Sequence, residues 1–466
     1  MEMNIMKTQT KTTHMETGSI PKLLAQLAIP AVVAQVINLL YNIVDRIYIG
    51  HIPGIGAAAL TGVGLFTPIL MLLNAFAMLV GSGGAPRAAI AMGKKDNDLA
   101  EKILGNCFTL LVGLAVVLTI VFYVSAPTLL RLFGASDVTL TYATDYARIY
   151  ILGSFFVLIV LGMNTFITTQ GFAKISMMTT IIGAVINIIL DPIFIFALGM
   201  GVKGAALATI ISQAVSCGWV LAFLTGKKTF LRIKKEYLKP VPSIVFPCLA
   251  LGLSTFVMQS SESVISVCFN SSLLKYGGDL AVGAMTILTS TMQFAMLPLQ
   301  GIGQGAQPIM SYNYGARNID RMKKTFKLHL VISLIYSTLF WLFVQLFPAT
   351  FAGIFSSDPE LVSFTAGALR IYCGAMFLFG IQLACQMTFV AIGYAVCSII
   401  VAVVRKFVLL LPLIFIVPMF VSNKTMGVYM AEPIADTIAV TFTAIIFAIQ
   451  FRKALRLIEG TKKAAA

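Results

Sequence analysis

Long apolar stretches separated by short polar segments dominate the chain. The stretches lie near residues 23–50, 57–83, 103–126, 146–168, 176–198, 204–225, 244–270, 280–305, 327–348, 363–390, 399–420 and 427–450. Each is long enough for a membrane-crossing helix, which needs about 20 apolar residues. Strands of a membrane barrel alternate polar and apolar residues, and these stretches do not. The pattern predicts an all-α membrane protein with twelve transmembrane helices.

The composition supports the same class. Of the 466 residues, 58% are hydrophobic and 11% are charged, whereas a soluble domain carries roughly a quarter charged residues. The seven cysteines stand singly in apolar stretches, which is typical of small core residues and not of a disulfide framework or a metal site. The first 20 residues are polar and lack the apolar core of a signal peptide.

The net charge of +15 is explained by topology. Most lysines and arginines fall in alternate loops: before the first stretch and after the second, fourth, sixth, eighth and twelfth. Arg405 and Lys406 are assigned to the same side, at the start of the eleventh stretch. Because basic loops face the cytoplasm, we expect a multi-pass protein with both termini cytoplasmic. Nucleic-acid binding is not needed to explain the charge.

The two halves of the chain resemble each other. The segment Gly81-Ser-Gly-Gly-Ala-Pro86 matches Gly303-Gln-Gly-Ala-Gln-Pro308, and Asp191-Pro192 aligns with Leu411-Pro412. We therefore predict two pseudo-symmetric six-helix lobes, an arrangement of transporters in which the substrate path lies between the repeats. An old duplication that serves only stability is the alternative. The predicted segments are a cytoplasmic N-terminal segment 1–22, an N-lobe 23–225, a basic cytoplasmic linker 226–243, a C-lobe 244–450 and a cytoplasmic tail 451–466.

Ionisable groups inside spans are costly and indicate functional sites. Asp45 and Asp191 are two such groups, and Asn187 precedes Asp191 by one helical turn. With the hydroxyl of Thr209, they offer oxygen ligands that suit a monovalent cation; alternatively, two close carboxylates could share a proton. Structural alternatives are a salt bridge between Asp45 and Arg46, and a helix–helix hydrogen bond for Asn187.

Glu262 is a third intramembrane carboxylate, and it follows Gln259 and two serines. It could bind a cationic substrate, form a second ion site or make a plain interhelical hydrogen bond. Glu432 and Asp436 lie in the last span, where Asp436 could make only a packing contact beside Pro433.

Taken together, several motifs resemble the MATE (multidrug and toxic compound extrusion) family, in its bacterial DinF-like and MepA-like branches. The resemblance covers about residues 20–450 and is carried by Tyr41-Asn-Ile-Val-Asp-Arg-Ile-Tyr-Ile-Gly50, Asn187-Ile-Ile-Leu-Asp-Pro192, Gly201-Val-Lys-Gly-Ala-Ala-Leu-Ala-Thr209, Gly303-Gln-Gly-Ala-Gln-Pro308, Ser311-Tyr-Asn-Tyr-Gly-Ala316 and Pro433-Ile-Ala-Asp436. It implies a secondary active antiporter that exports amphiphilic, often cationic, molecules in exchange for H⁺ or Na⁺.

The resemblance also implies roles for individual residues. It makes Asp45, Asn187, Asp191 and Thr209 an N-lobe cation site. It places a bend of the first helix at Pro30, and it makes Asn164, Gln259 and Glu262 cavity residues that contact substrate. The chain departs from one branch of the family, because span ten has no acidic residue and offers only Gln382 and Gln386.

Two other functions are weighed against export. A flippase for lipid-linked precursors, from the same superfamily, should line its cavity with basic groups for pyrophosphate, and mid-span lysines and arginines are scarce. A membrane-embedded enzyme is disfavoured, because the three histidines lie far apart and no nucleophile–base pair or metal-ligand spacing is present. We therefore expect a monomeric transporter of the bacterial cytoplasmic (inner) membrane, with H⁺ or Na⁺ as its coupling ion and no cofactor or other metal.

Overall fold

The computed structural model describes residues 15–356 and 358–465, which are almost entirely helical. Residues 1–14 of the predicted N-terminal segment lie outside this part, as does Ala466. The helices are α1 (Ile20–Gly50), α2 (Gly56–Gly93), α3 (Asn97–Leu132), α4 (Asp137–Thr169), α5 (Ala173–Pro192), α6 (Val202–Thr225), α7 (Pro242–Gly315), α8 (Ile319–Leu346), α9 (Pro348–Phe355), α10 (Pro359–Tyr372), α11 (Phe379–Ala391), α12 (Ala395–Val403), α13 (Leu411–Phe420) and α14 (Lys424–Ala465).

The described helices account for twelve crossings of a bilayer. Ten of them, counting α5 and α12 each with its continuation, are long and apolar enough to span, and α10 with the segment Met376–Ala391 forms an eleventh span bent by 45°. Helix α7 has 74 residues, or about 110 Å at 1.5 Å per residue, whereas the hydrocarbon layer is about 30 Å thick. It is interrupted at Gly278, whose φ of 63° suits glycine. We call the two parts the first arm (242–277) and the second arm (279–315). The predicted twelve-helix fold is confirmed.

The fifth span of each lobe contains a π-helical turn. In the N-lobe the turn is Ile193–Ala197 and follows Pro192 directly. In the C-lobe it is Val404–Leu410, between α12 and α13 and just before Pro412. Proline cannot donate the backbone hydrogen bond of a regular helix, and π-helical turns frequently mark functional sites. Asp191 therefore lies beside one turn, while Arg405 and Lys406 lie inside the other.

Glycines let the lobes approach each other closely, in contacts repeated by the internal symmetry. A Cβ atom at Gly83 of α2 would lie 2.0 Å from the carbonyl oxygen of Cys248, in the first arm of α7. Correspondingly, a Cβ atom at Gly305 of the second arm would lie 2.5 Å from the backbone nitrogen of Ala28 in α1. The second helix of each lobe thus packs against the first helix of the other, through small residues typical of membrane helix interfaces.

A second pair of glycines lies where α2 and the second arm of α7 end. A Cβ atom at Gly93 would lie 2.0 Å from the carbonyl oxygen of Tyr312, and one at Gly315 would lie 2.1 Å from that of Ile90. We call this side of the bundle, which also carries the α2–α3 turn and the linker between α6 and α7, the basic side. The lobes are therefore in direct contact on the basic side.

The linker between the lobes, residues 226–241, is docked on the N-lobe. The Asn106 side chain donates to the carbonyl oxygen of Tyr237 (3.0 Å) and accepts from the Val241 backbone (2.5 Å). Thr109 donates to the carbonyl oxygen of Leu238 (2.6 Å). The Tyr237 hydroxyl donates to the Asp98 carboxylate, and this bond raises the pKa of Tyr237 to about 12. The linker is thus an ordered segment held by α3, in addition to being a connection.

The predicted tail 451–466 does not form a separate segment over its described residues. Helix α14 continues without interruption from Lys424 to Ala465, so the basic residues after the last span extend that helix. The end of this helix does not coincide with residue 450, and the boundary between span and tail predicted there stays a prediction.

Candidate cation and substrate sites

The structure brings the four predicted N-lobe residues together. Helix α1 supplies Asp45, α5 supplies Asn187 and Asp191, and α6 supplies Thr209; the four are at most 8% exposed. The Asn187 amide donates to Asp191 Oδ1 (3.2 Å) and to Thr209 Oγ1 (3.4 Å). The carboxyl groups of Asp45 and Asp191 lie within hydrogen-bonding reach of each other. The structural alternative, a salt bridge between Asp45 and Arg46, is not among the ion pairs of the described residues.

Three oxygen atoms of this cluster lack a hydrogen-bond partner among the described residues: Asp45 Oδ1, Asn187 Oδ1 and Asp191 Oδ2. Buried polar atoms are nearly always paired, and a buried charge needs a counter-charge. Two carboxylates in contact repel each other unless a proton or a cation neutralises them. The donor set of carboxylate, amide and hydroxyl oxygens is chemically suited to H⁺ or to a hard cation such as Na⁺.

Tyrosines that the sequence interpretation did not single out surround these carboxylates. Tyr41 of α1 and Tyr146 of α4 feel the charge of both aspartates, and Tyr150 that of Asp45. The Tyr146 and Tyr150 rings stack on each other with centroids 5.9 Å apart. Their spacing of four residues, which puts both on one helix face, was the available signal. The Tyr146 and Tyr150 rings also pack edge-on against Phe66 in a buried apolar cluster of the N-lobe.

The C-lobe contains a buried ion cluster whose two basic members were assigned wrongly. Arg405 and Lys406 do not open a span on the basic side, because α12 begins at Ala395 and they lie ten residues further, inside the π-helical turn. Arg405 Nε donates to Asp436 Oδ1 (2.7 Å), and its Nη2 lies 3.7 Å from Glu432 Oε1. The expectation that Asp436 makes only a packing contact is therefore wrong. The signal that was missed is a pair of charges within a predicted apolar stretch.

Glu262 of the first arm forms an ion pair with Lys406, with 2.7 Å between Oε1 and Nζ. The lysine side chain is 5% exposed, whereas that of Glu262 is 53% exposed. Ser263, the next residue, contacts Met71 of α2 (Oγ–Sδ 3.7 Å), so this turn of α7 touches the N-lobe. Glu262 therefore lies on a turn of α7 that adjoins the boundary between the lobes, and its side chain is about half exposed.

The remaining predicted residues are not grouped with either cluster. Asn164 of α4 donates to the carbonyl oxygen of Ser176 (3.3 Å) and so joins α4 to α5. Gln259 is half-buried, one turn before Glu262. Pro30 is buried within α1, which runs as a single helix through it.

Comparisons with known proteins identify the family. The family model described as MatE matches residues 30–193 and 254–416, once in each lobe. A multidrug export protein MepA from Staphylococcus haemolyticus (strain JCSC1435) is 26% identical over 442 residues, covering 95% of this chain and 96% of its own. A probable multidrug resistance protein, YoeA of Bacillus subtilis (strain 168), is 23% identical over 418 residues, covering 88% and 90%.

Solved structures show the same fold. A crystal structure of MATE in the bent conformation superposes with a TM-score of 0.90 at 25% identity, covering 96% of this chain and 99% of that one. An outward-facing multidrug resistance MATE family transporter of the MOP superfamily gives 0.88 at 25% identity, covering 95% and 98%. The chain therefore belongs to the MatE family and is a multi-pass membrane transporter of the MepA-like bacterial branch, not an enzyme.

Proposed function

We propose that the protein is a secondary active antiporter that exports amphiphilic, often cationic, small molecules in exchange for H⁺ or Na⁺. The observation that carries the proposal is the set of three unpartnered oxygens around two touching carboxylates in the N-lobe. Such a site is stable when it holds a proton or a cation, so its occupancy follows the ion gradient. The relatives described as multidrug export proteins support the cargo class.

The orientation follows from the positive-inside rule. We infer that the basic side faces the cytoplasm of a bacterial cell, with both termini on that side of the inner membrane. Because the lobes are in contact there through Gly93 and Gly315, the conformation described is closed towards the cytoplasm. A cation entering from outside would neutralise Asp45 and Asp191 and change the packing of α1 around Pro30. Cargo bound between the lobes, near Asn164, Gln259 and Glu262, would then be released outward.

The flippase alternative is less well supported. The C-lobe does contain two buried mid-span basic groups, contrary to the expectation that such groups are scarce. Both are already paired with carboxylates, however: Arg405 with Asp436 and Lys406 with Glu262. A pyrophosphate would have to displace these carboxylates and approach Glu432 as well, which like-charge repulsion opposes.

Transport in proteoliposomes tests the proposal. We would load ethidium, impose a Na⁺ gradient or a pH gradient separately, and compare the wild type with Asp45→Asn and Asp191→Asn. Each substitution should reduce gradient-driven efflux by about tenfold or more, because it removes a charge that the coupling ion neutralises. The matched control is Asp145→Asn, which removes a carboxylate of the same lobe that is 34% exposed and pairs with Lys203 at 3.4 Å.

The outcomes are distinct. Efflux driven by one gradient, lost in both site variants and kept in the control, would support the antiporter and identify its ion. Wild-type rates in Asp191→Asn at normal protein levels would refute the assigned site. A folded wild type that responds to neither gradient would refute the antiporter itself. We expect a monomer to be sufficient for transport, so vesicles that contain one copy of the protein should export ethidium.

A further inference from the structure

The C-lobe cluster holds fewer positive than negative groups. Among the described residues it contains three carboxylates, Glu262, Glu432 and Asp436, and two basic side chains, Arg405 and Lys406. Four of these side chains are at most 9% exposed, and only that of Glu262 is open, at 53%. With all three carboxylates ionised, the cluster is one positive charge short, and its most exposed member is a carboxylate.

Arg405 is fixed in this arrangement, whereas Lys406 has a choice of partners. Arg405 makes the short bond to Asp436, and its guanidinium lies over the Phe379 ring, 5.3 Å from the centroid. Lys406 pairs with Glu262 at 2.7 Å, yet it also acts electrostatically on Glu432. Glu432 has only a 3.7 Å contact with Arg405, so it can accept a second cation. A lysine is a point charge on a flexible stem, so it can change partners without repacking the helices.

We propose that Lys406 is a tethered cation whose ammonium group pairs with Glu262 when no cargo is bound. A cationic cargo binds by replacing the ammonium group at Glu262, and the ammonium group then moves to Glu432. With cargo present, three carboxylates face three positive charges, and the cluster is neutral. Lys406 thereby sets the affinity for organic monocations and keeps Glu262 from holding an inorganic cation instead. The inference rests on the proposed function, because it deepens the role of Glu262 as a substrate contact.

The repeat supports a role specific to this lobe. By the alignment of Asp191-Pro192 with Leu411-Pro412, the N-lobe residues equivalent to Arg405 and Lys406 are Val185 and Ile186. A buried ion pair contributes little to stability compared with apolar residues of similar size. The apolar N-lobe residues at these positions indicate that the scaffold does not require charge there.

Direct binding of ethidium to purified protein tests the proposal. In Lys406→Gln, cargo no longer competes with the ammonium group, so ethidium should bind tighter by roughly tenfold or more. Lys406→Arg, the matched control, keeps the positive charge and should not gain affinity. In the double variant Lys406→Gln with Glu262→Gln, the gain should disappear, because the carboxylate that receives the cargo is gone.

Folding and transport controls separate the possible outcomes. The Glu262 side chain is 53% exposed, so Lys406→Gln leaves no fully buried carboxylate at that position. Lys406→Met, which keeps the length of the stem, serves if the glutamine variant does not fold. Unchanged affinity in the folded single variants, or a gain that persists without Glu262, would overturn the tethered cation. If either result is obtained while the wild type still exports ethidium and Asp191→Asn does not, only the tethered cation is refuted and the proposed function stands. If the wild type neither binds nor exports ethidium, both proposals fail.

Discussion

The first part of the linker is held by a second anchor besides α3, the buried side chain of Gln170 at the end of α4. Its Oε1 atom accepts three hydrogen bonds, from Thr229 Oγ1 (2.7 Å) and from the backbone nitrogens of Phe230 and Leu231 (2.9 Å each). Gln170 is 3% exposed and Leu231 is fully buried. We predict that Gln170→Ala destabilises the protein and frees the linker.

The size of the effect follows from the donors that lose their acceptor. Thr229 can keep its bond to the Leu231 carbonyl oxygen (3.0 Å), so two backbone N–H groups remain unpaired. Each unsatisfied buried donor costs about 1–3 kcal/mol, so the free energy of unfolding should fall by roughly 2–4 kcal/mol once the linker relaxes. Part of this loss would appear as local opening of the linker and not as global unfolding.

Two assays measure the two parts of the effect. Thermal unfolding in detergent should show a melting temperature lowered by several degrees. Trypsin should cut the linker faster, because Lys227, Lys228 and Arg232 lie close to the released segment. Gln170→Glu keeps an acceptor oxygen but loses the amide donor to the Phe166 carbonyl oxygen (3.2 Å), so it should lose less than Gln170→Ala in both assays. Thr168→Ala, two residues before Gln170, removes only a bond within α4 to the Asn164 carbonyl oxygen (3.3 Å) and controls for loss of side-chain atoms.

If Gln170→Ala melts and resists trypsin like the wild type, the linker is not held by this acceptor. If Gln170→Glu falls as far as Gln170→Ala, the acceptor oxygen alone does not hold the linker, and the amide group that donates to the Phe166 carbonyl oxygen (3.2 Å) is needed as well.

Two further predictions concern the lobes. Arg405→Gln should lower the free energy of unfolding by about 3 kcal/mol or more, because Asp436 loses its buried partner. Thermal melting in detergent measures this loss, and Arg405→Lys, which keeps the charge, should lose less. An unchanged melting temperature in Arg405→Gln would contradict the ion cluster. Gly305→Ala should cost about 1–3 kcal/mol, because its Cβ atom would lie 2.5 Å from a backbone nitrogen of the other lobe. Gly113→Ala meets nothing within 4 Å and should be neutral or stabilising in the same assay, so equal effects of the two alanines would argue against tight packing between the lobes.

The sequence was sufficient for features that depend on local pattern. Apolar stretches predicted the spans, because only long helices satisfy the backbone in lipid. The duplicated glycine–proline segment predicted the lobes, and the family model's two matches agree with it. Asp45 and Asp191, although far apart in the chain, were recognised together because ionisable residues inside spans are rare.

Other features depend on contacts that a single sequence does not contain. Arg405 and Lys406 were assigned to the basic side because they are positive and were placed near a span end. Their position within the span follows from the start of α12 at Ala395. The charges of the two residues do not reveal where that helix begins. The pairing of Lys406 with Glu262 joins residues from two helices far apart in the sequence, so it required the three-dimensional arrangement.

The two lobes have the same arrangement of helices but different charged residues in their interiors. Packing explains how the arrangement can be shared while the charges differ. The glycines at which the lobes meet are constrained equally in both copies, because each would collide with the other lobe if it gained a side chain. Residues that point into the interior of one lobe face no such reciprocal constraint, so Asp191 could have Leu411 as its equivalent and Lys406 could have Ile186. The symmetric contacts hold the two lobes together, while the asymmetric interiors fit the proposed division of roles, in which one lobe would respond to an external cation and the other would carry its own.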